Sequence, residues 1–134
     1  MARYSIVTIA PEDAMDNTTT IEELKNAVIE FRDRRNWKQF HDIKNLSMGL
    51  SVEAAELQEL FLWKTPEEIA AMLGAERERK KIEEELADVF VFLLYLGEAA
   101  GIDLSDAVRS KLLVNDKKYP VDKSYNSSKK YTEL

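Results

Sequence analysis

Lys81–Leu96 reads KIEEELADVFVFLLYL, and its spacing reads as part of a long helix. Successive helical residues turn by about 100°. Ile82, Asp88, Val89 and Phe92 therefore share a sector within roughly 60° of Glu85. Leu50–Leu60, LSVEAAELQEL, repeats the layout, with Leu50, Glu56, Leu57 and Leu60 in the same roughly 60° sector around Glu53. Each helix thus carries two carboxylates at i, i+3 inside its apolar stripe. Glu59, Glu83 and Glu84 lie off the stripes and read as solvated. The run Val89–Leu96 is apolar on every side, so its helix needs a second buried face. In so short a chain that face is expected to meet another subunit.

Working outward, the expected architecture is an all-α helical bundle whose middle helices bear the acidic pairs. A helix opens at Thr20, where Thr20 and Glu23 form a capping box, and its apolar spacing carries it to about Trp37. The next is expected from Asp42 or Ile43 to about Phe61. Thr65 and Glu68 make a second capping box with Pro66 at N1, opening a short helix that ends near Gly74. A long helix runs from about Glu76 to Ala100, with Gly101 as its stop. Asp103 or Ser105 starts the last, which reaches about Lys118. Residues 1–18 read as an N-terminal arm, with Tyr4–Ala10 a short strand or extended piece. Residues 19–120 form the helical domain and 121–134 a polar C-terminal tail.

Composition agrees and excludes much. The 134 residues include only 4 glycines and 3 prolines, below the roughly 7% and 5% of average usage, which leaves few tight turns. There is no cysteine and one histidine, His41. Disulfides, thiolate metal centres, cysteine nucleophiles and sites needing two imidazoles are excluded. The net charge of −6 disfavours nucleic acid and anionic membranes as partners. Residues 109–134 alone carry a net +4, either a basic helix docking on an acidic body or a cationic face for an anion. The apolar run is too short for a membrane span, which needs about 18 residues. Residues 1–15 lack the pattern of a secretory signal. A soluble, cytoplasmic protein is expected.

Burying an unpaired carboxylate costs several kcal/mol, and crowding four adds repulsion. Protonation, arginines from another helix, or divalent cations would each relieve it. Hard oxygen donors without histidine or cysteine select Mg²⁺ or Mn²⁺, or Ca²⁺, over zinc or copper.

In sequence order these residues resemble the all-α nucleoside triphosphate pyrophosphohydrolases of the MazG-like superfamily, and within it the dCTP pyrophosphatase branch. The likeness rests on Glu53-x-x-Glu56 followed by Glu85-x-x-Asp88. It extends to Trp37-Lys38-Gln39-Phe40-His41, Lys44-Asn45-Leu46, Trp63-Lys64, Ser110-Lys111-Leu112, Asn115, Lys118-Tyr119-Pro120 and the ending Ser127–Leu134. Val52, Phe92 and Val28 depart from it, standing where relatives carry glutamate, tyrosine and histidine.

The resemblance implies Mg²⁺-dependent hydrolysis of dCTP, or of a related pyrimidine deoxynucleoside triphosphate, to the monophosphate and pyrophosphate. Glu53, Glu56, Glu85 and Asp88 would hold the metal, with Glu56 as the chosen base and Glu59 behind it. Trp37, Phe40, His41 and Trp63 would line the base pocket, with Lys38, Gln39 and Phe92 among the other substrate-binding residues. Lys44, Lys111, Asn115 and Lys118 would face phosphate or sugar. The family's homodimers or homotetramers are expected here too. The alternative is a non-catalytic acidic helical protein of oligomeric, interacting type. A carboxylate-bridged di-iron oxidase would need Glu-x-x-His motifs, and Lys38 stands three residues before His41.

Overall fold

The computed structural model describes residues 15–134, and helices are the only regular elements among them. The strand or arm expected at Tyr4–Ala10 lies outside the described residues. Helix α1 spans Ile21–Asp33. Its start is set by the Thr20–Glu23 box: the Glu23 amide donates to Thr20 Oγ1 (3.1 Å) and the Thr20 amide to Glu23 Oε2 (2.7 Å). Two otherwise orphaned amides are satisfied this way.

The helix does not reach Trp37 as its apolar spacing suggested. Asn36 sits in the left-handed region at φ 53°, a conformation asparagine tolerates better than most residues, and Trp37–Phe40 follow as a 3-10 turn. Helix α2 spans Ile43–Glu59 and starts on Asp42, whose carboxylate accepts from the Asn45 amide (2.8 Å) and side chain (2.7 Å). Helix α3, Pro66–Gly74, opens with the Thr65–Glu68 box. Extended backbone at Ala75 separates it from α4, Glu76–Ala100, which Gly101 ends at φ 65°.

These four helices belong to one compact unit, ending at Gly101. Its main packing is α2 against α4, with α1 and α3 flanking α4. The apolar side chains buried among the described residues are few: Leu46 of α2, Met72 of α3, and Ile82, Leu94 and Tyr95 of α4. Close approach of α2 to α4 requires Gly49, because a Cβ there would intrude on the Phe92 ring. The α1–α4 seam is polar. Arg32, only 2% exposed, sends Nη1 to Glu98 (2.9 Å) and Nε to Asp33 (2.7 Å). Beside it the Tyr95 hydroxyl donates to the Val28 carbonyl (2.9 Å). Neither Arg32 nor Tyr95 was singled out from sequence.

Residues 102–134 form the second unit. Asp103 caps α5, Leu104–Lys118. Beyond it lie α6, Val121–Ser124, and a 3-10 turn at Tyr131–Glu133. Tyr131 folds back on the end of α5, its ring 5.9 Å from that of Tyr119 and 4.8 Å from Lys118 Nζ.

Gly49→Ala should lower stability by about 1 kcal/mol in urea unfolding, since roughly 1–3 kcal/mol of overpacking outweighs the ~1 kcal/mol gained in helix propensity. In a Phe92→Ala background the sign should reverse. A stabilising Gly49→Ala in the wild-type background would contradict the packing described.

Candidate metal centre

Helices α2 and α4 bring Glu53, Glu56 and Glu85 together, each offering a carboxylate oxygen within 4.8 Å of the others. Glu53 and Glu56 are one turn apart on α2, and Glu85 reaches them from α4. Asp88, one turn after Glu85, is outside this trio, yet its charge acts on both Glu53 and Glu85. Glu53 and Glu85 are partly buried, whereas Glu56 and Asp88 are exposed. The stripes of sequence analysis thus hold one embedded carboxylate each, with the other at the rim. The reason is shape: a residue about 60° off the centre of a stripe sits at the edge of a two-helix contact.

Charge crowding is visible in the protonation of the pair. Burial comes first in raising Glu53 above its ordinary 4.5, followed by Asp88, Glu56 and Glu85. Glu85 is likewise raised, by burial and then by Glu56, Asp88, Glu84 and Glu59. Glu84, read from sequence as solvated, and Glu59, placed off the stripe but behind Glu56, both reach Glu85 electrostatically. Glu85 Oε2 is sealed from solvent and meets no hydrogen-bond partner among the described residues. A buried acceptor of this kind is costly unless something satisfies it. Three converging carboxylates, one of them carrying such an oxygen, suit a hard divalent cation.

The remaining residues chosen from sequence are distributed as follows. Trp37, Lys38, Gln39 and Phe40 form the 3-10 turn, and His41 follows it. Trp37 packs edge-on to Phe31 (5.9 Å), with the Arg35 guanidinium 3.6 Å from the Phe31 ring and 5.7 Å from Trp37. Gln39 spends its amide on the Asn36 carbonyl (2.9 Å). The His41 ring lies edge-on to Tyr95 at 4.7 Å. Burial, and then Arg32, hold its imidazole below the ordinary 6.5, against Glu98 and Asp33. Lys44 is exposed in the first turn of α2. Trp63, between α2 and α3, adopts φ 62° and is 92% exposed, and its ring stacks on no neighbour among the described residues. Phe92 is engaged inside the unit, against Gly49 and edge-on to Tyr95 at 6.3 Å. Lys111, Asn115 and Lys118, at i, i+4 and i+7, line one face of α5 in the second unit.

Three comparisons bear on this arrangement. Residues 49–134 match the model of the MazG-like family. The chain is 42% identical over 115 residues to dCTP pyrophosphatase 1 of Homo sapiens, covering 86% of this chain and 68% of that one. Against dCTP pyrophosphatase 1 of Bos taurus the identity is 37% over 133 residues, covering 99% and 79% respectively. Among solved structures, a pyrophosphatase from Archaeoglobus fulgidus superposes with a TM-score of 0.69 at 42% identity, covering 75% of this chain and 92% of that one.

Raised carboxyls stabilise the fold below their unfolded value and cease to do so as pH climbs through the folded one. Melting of the metal-free protein should therefore fall as pH rises above 4.5 through the raised range of Glu53 and Glu85. Millimolar Mg²⁺ should offset the loss, raising Tm more at about pH 8 than at about pH 5. A Tm indifferent to Mg²⁺ at both would count against a cation site.

Proposed function

The chain belongs to the MazG-like family, and from that premise we propose that it is a deoxynucleoside triphosphate pyrophosphohydrolase acting on dCTP or a related pyrimidine nucleotide. The products are the monophosphate and pyrophosphate. One observation carries the reading: Glu53 and Glu56 of α2 and Glu85 of α4 each offer a carboxylate oxygen within 4.8 Å of the others, and Glu85 also holds a buried oxygen with no partner among the described residues. Its likeness to two mammalian dCTP pyrophosphatases supports the substrate class.

In this reading Glu53, Glu56 and Glu85 hold Mg²⁺, or Mn²⁺ in its stead, and Asp88 completes the acidic rim. A bound divalent cation supplies charge neutralisation for the triphosphate and a lowered pKa for water. Glu56, exposed at the rim, accepts the proton of the attacking water, with Glu59 one turn further along the helix. Embedded Glu53 and Glu85 keep the negative field fixed, because packed helices limit their movement. Trp37, Phe40, His41 and Trp63 receive the base, and Lys38, Gln39 and Phe92 border the same region. Lys44, Lys111, Asn115 and Lys118 are assigned to the phosphates and sugar. Phe92 and Val28 offer no polar atom where the family carries tyrosine and histidine, which removes two side-chain contacts with the nucleotide.

The active form is proposed to be a homodimer or homotetramer. Val52 on α2 (54% exposed), and Leu86 and Leu93 (52% and 38%) at i and i+7 on one face of α4, support this. No described helix is long and apolar enough to cross a membrane. The proposed setting is the cytoplasm, with free nucleotides rather than nucleic acid as substrate.

A panel of nucleoside triphosphates with Mg²⁺, read for pyrophosphate against orthophosphate, tests the reaction. Pyrophosphate should be the product, with dCTP among the better substrates; orthophosphate alone, or no turnover, would overturn it. Glu53→Gln, Glu56→Gln, Glu85→Gln and Asp88→Asn should each cut kcat/KM by roughly 10²-fold or more, with helical circular dichroism retained. Trp63→Ala should chiefly raise KM, by about tenfold, the scale of losing one base–aromatic stack. Sedimentation should give a mass above one chain, and a monomer would refute the oligomer.

A further inference from the structure

The α1–α4 seam carries a polar cluster that the proposed chemistry leaves unused. From α1 come Arg32, 2% exposed, and Asp33; from α4 come Tyr95, 5% exposed, and Glu98. The guanidinium is fixed by two ion pairs, at 2.7 Å to Asp33 and 2.9 Å to Glu98. His41 lies edge-on against Tyr95 at 4.7 Å. The Tyr95 hydroxyl is committed elsewhere, to the Val28 carbonyl at 2.9 Å. His41 Nδ1 is sealed from solvent and meets no hydrogen-bond partner among the described residues.

We propose that Arg32 is a positioning residue for nucleobase recognition: locked between Asp33 and Glu98 at the seam where His41 rests on Tyr95, it holds that ring with its Nε2–H offered to the base. Nδ1 lacks a partner among the described residues in either tautomer, but a proton there is a sealed donor with nothing to accept it, whereas Nε2 is not sealed in this way and its proton can reach an acceptor. That leaves Nδ1 with its lone pair and Nε2 with the N–H. A second proton would add a cation within the field of a guanidinium that two ion pairs hold in place. Glu98 and Asp33 pull the other way, and the depressed imidazole shows that burial and Arg32 prevail. The outcome is one hydrogen-bond donor of fixed direction, suited to a carbonyl oxygen or ring nitrogen of a pyrimidine. The inference rests on placing His41 in the base pocket.

His41 is the one histidine in the chain, so proton and ¹⁵N NMR read its titration and tautomer without ambiguity. In the wild type the ring should titrate below 6.5 and carry its neutral-state proton on Nε2. Arg32→Met should move the midpoint up, whereas Glu98→Gln and Asp33→Asn should move it down. Arg32→Met and Glu98→Gln break the same ion pair, so a role confined to docking α1 on α4 would move both the same way. With dCTP at neutral pH, Arg32→Met should raise KM about three- to tenfold, the scale of one hydrogen bond, with kcat retained. Arg32→Lys should restore KM, and Glu98→Gln should not raise it.

Midpoints shifting together, a proton found on Nδ1, or equal KM rises in Arg32→Met and Glu98→Gln would each overturn the proposal. If Arg32→Met fails to fold, Arg32→Lys and Arg32→Gln are compared instead: a His41 midpoint and KM held by Lys but raised by Gln support the proposal, and equal values in the two refute it. A wild type that folds but turns over no nucleotide would instead refute the pyrophosphohydrolase reading, while NMR would still decide the Arg32–His41 coupling.

Discussion

Repulsion between carboxylates held where α2 meets α4 is the constraint from which the rest follows. Glu53 and Glu85 cannot separate without undoing the main helix contact of the first unit, and each is raised by burial and by neighbouring acids. A fold that stores like charge at its principal contact must either keep protons there or recruit a cation. The cost is borne in a small core, since Leu46, Met72, Ile82, Leu94 and Tyr95 are the buried apolar side chains among the described residues. Helix starts are secured independently of any ligand, by capping boxes at Thr20 and Thr65 and by Asp42 and Asp103.

The opposite sign of charge fixes the other seam. Arg32 ties α1 to α4 through Glu98, and the 3-10 turn carrying Trp37 to Phe40 leaves from the end of α1. His41 packs on Tyr95, one turn before the Glu98 of that ion pair, and the acidic cluster lies on the two helices that Gly49 lets approach closely. Two different kinds of packing flank α4: one polar and salt-bridged, one close and crowded by anions.

Much of this was legible in one dimension because the governing signals are local. Capping boxes, Pro66 at N1 and Gly101 as a stop act within one helical turn, so the bounds of α2 to α5 fell close to expectation. Asn36 was harder: asparagine is compatible with both a helix and a left-handed turn, and here the turn wins and ends α1 early. The carboxylate trio followed from periodicity, but periodicity gives an angle around one helix and not the width of the contact, so the rim exposure of Glu56 and Asp88 was not readable. Arg32 was missed although a signal existed. It stands four residues after Val28 and Glu98 four after Leu94, which puts opposite charges into two apolar stripes. Only the pairing of α1 with α4 shows that they meet. Likewise the close approach of Phe92 to Gly49 depends on interhelical distance, which no single helix encodes.

Trp63 holds a backbone geometry that costs a bulky L-residue about 1–2 kcal/mol, while its indole stands almost wholly in water. Glycine or asparagine would relax the same bend, so the backbone bears a cost at a residue whose broad aromatic face is left to solvent. With no described residue packed on it, that indole keeps its rotamers, and any planar group landing there would have to order the side chain, at about 0.5–1.5 kcal/mol.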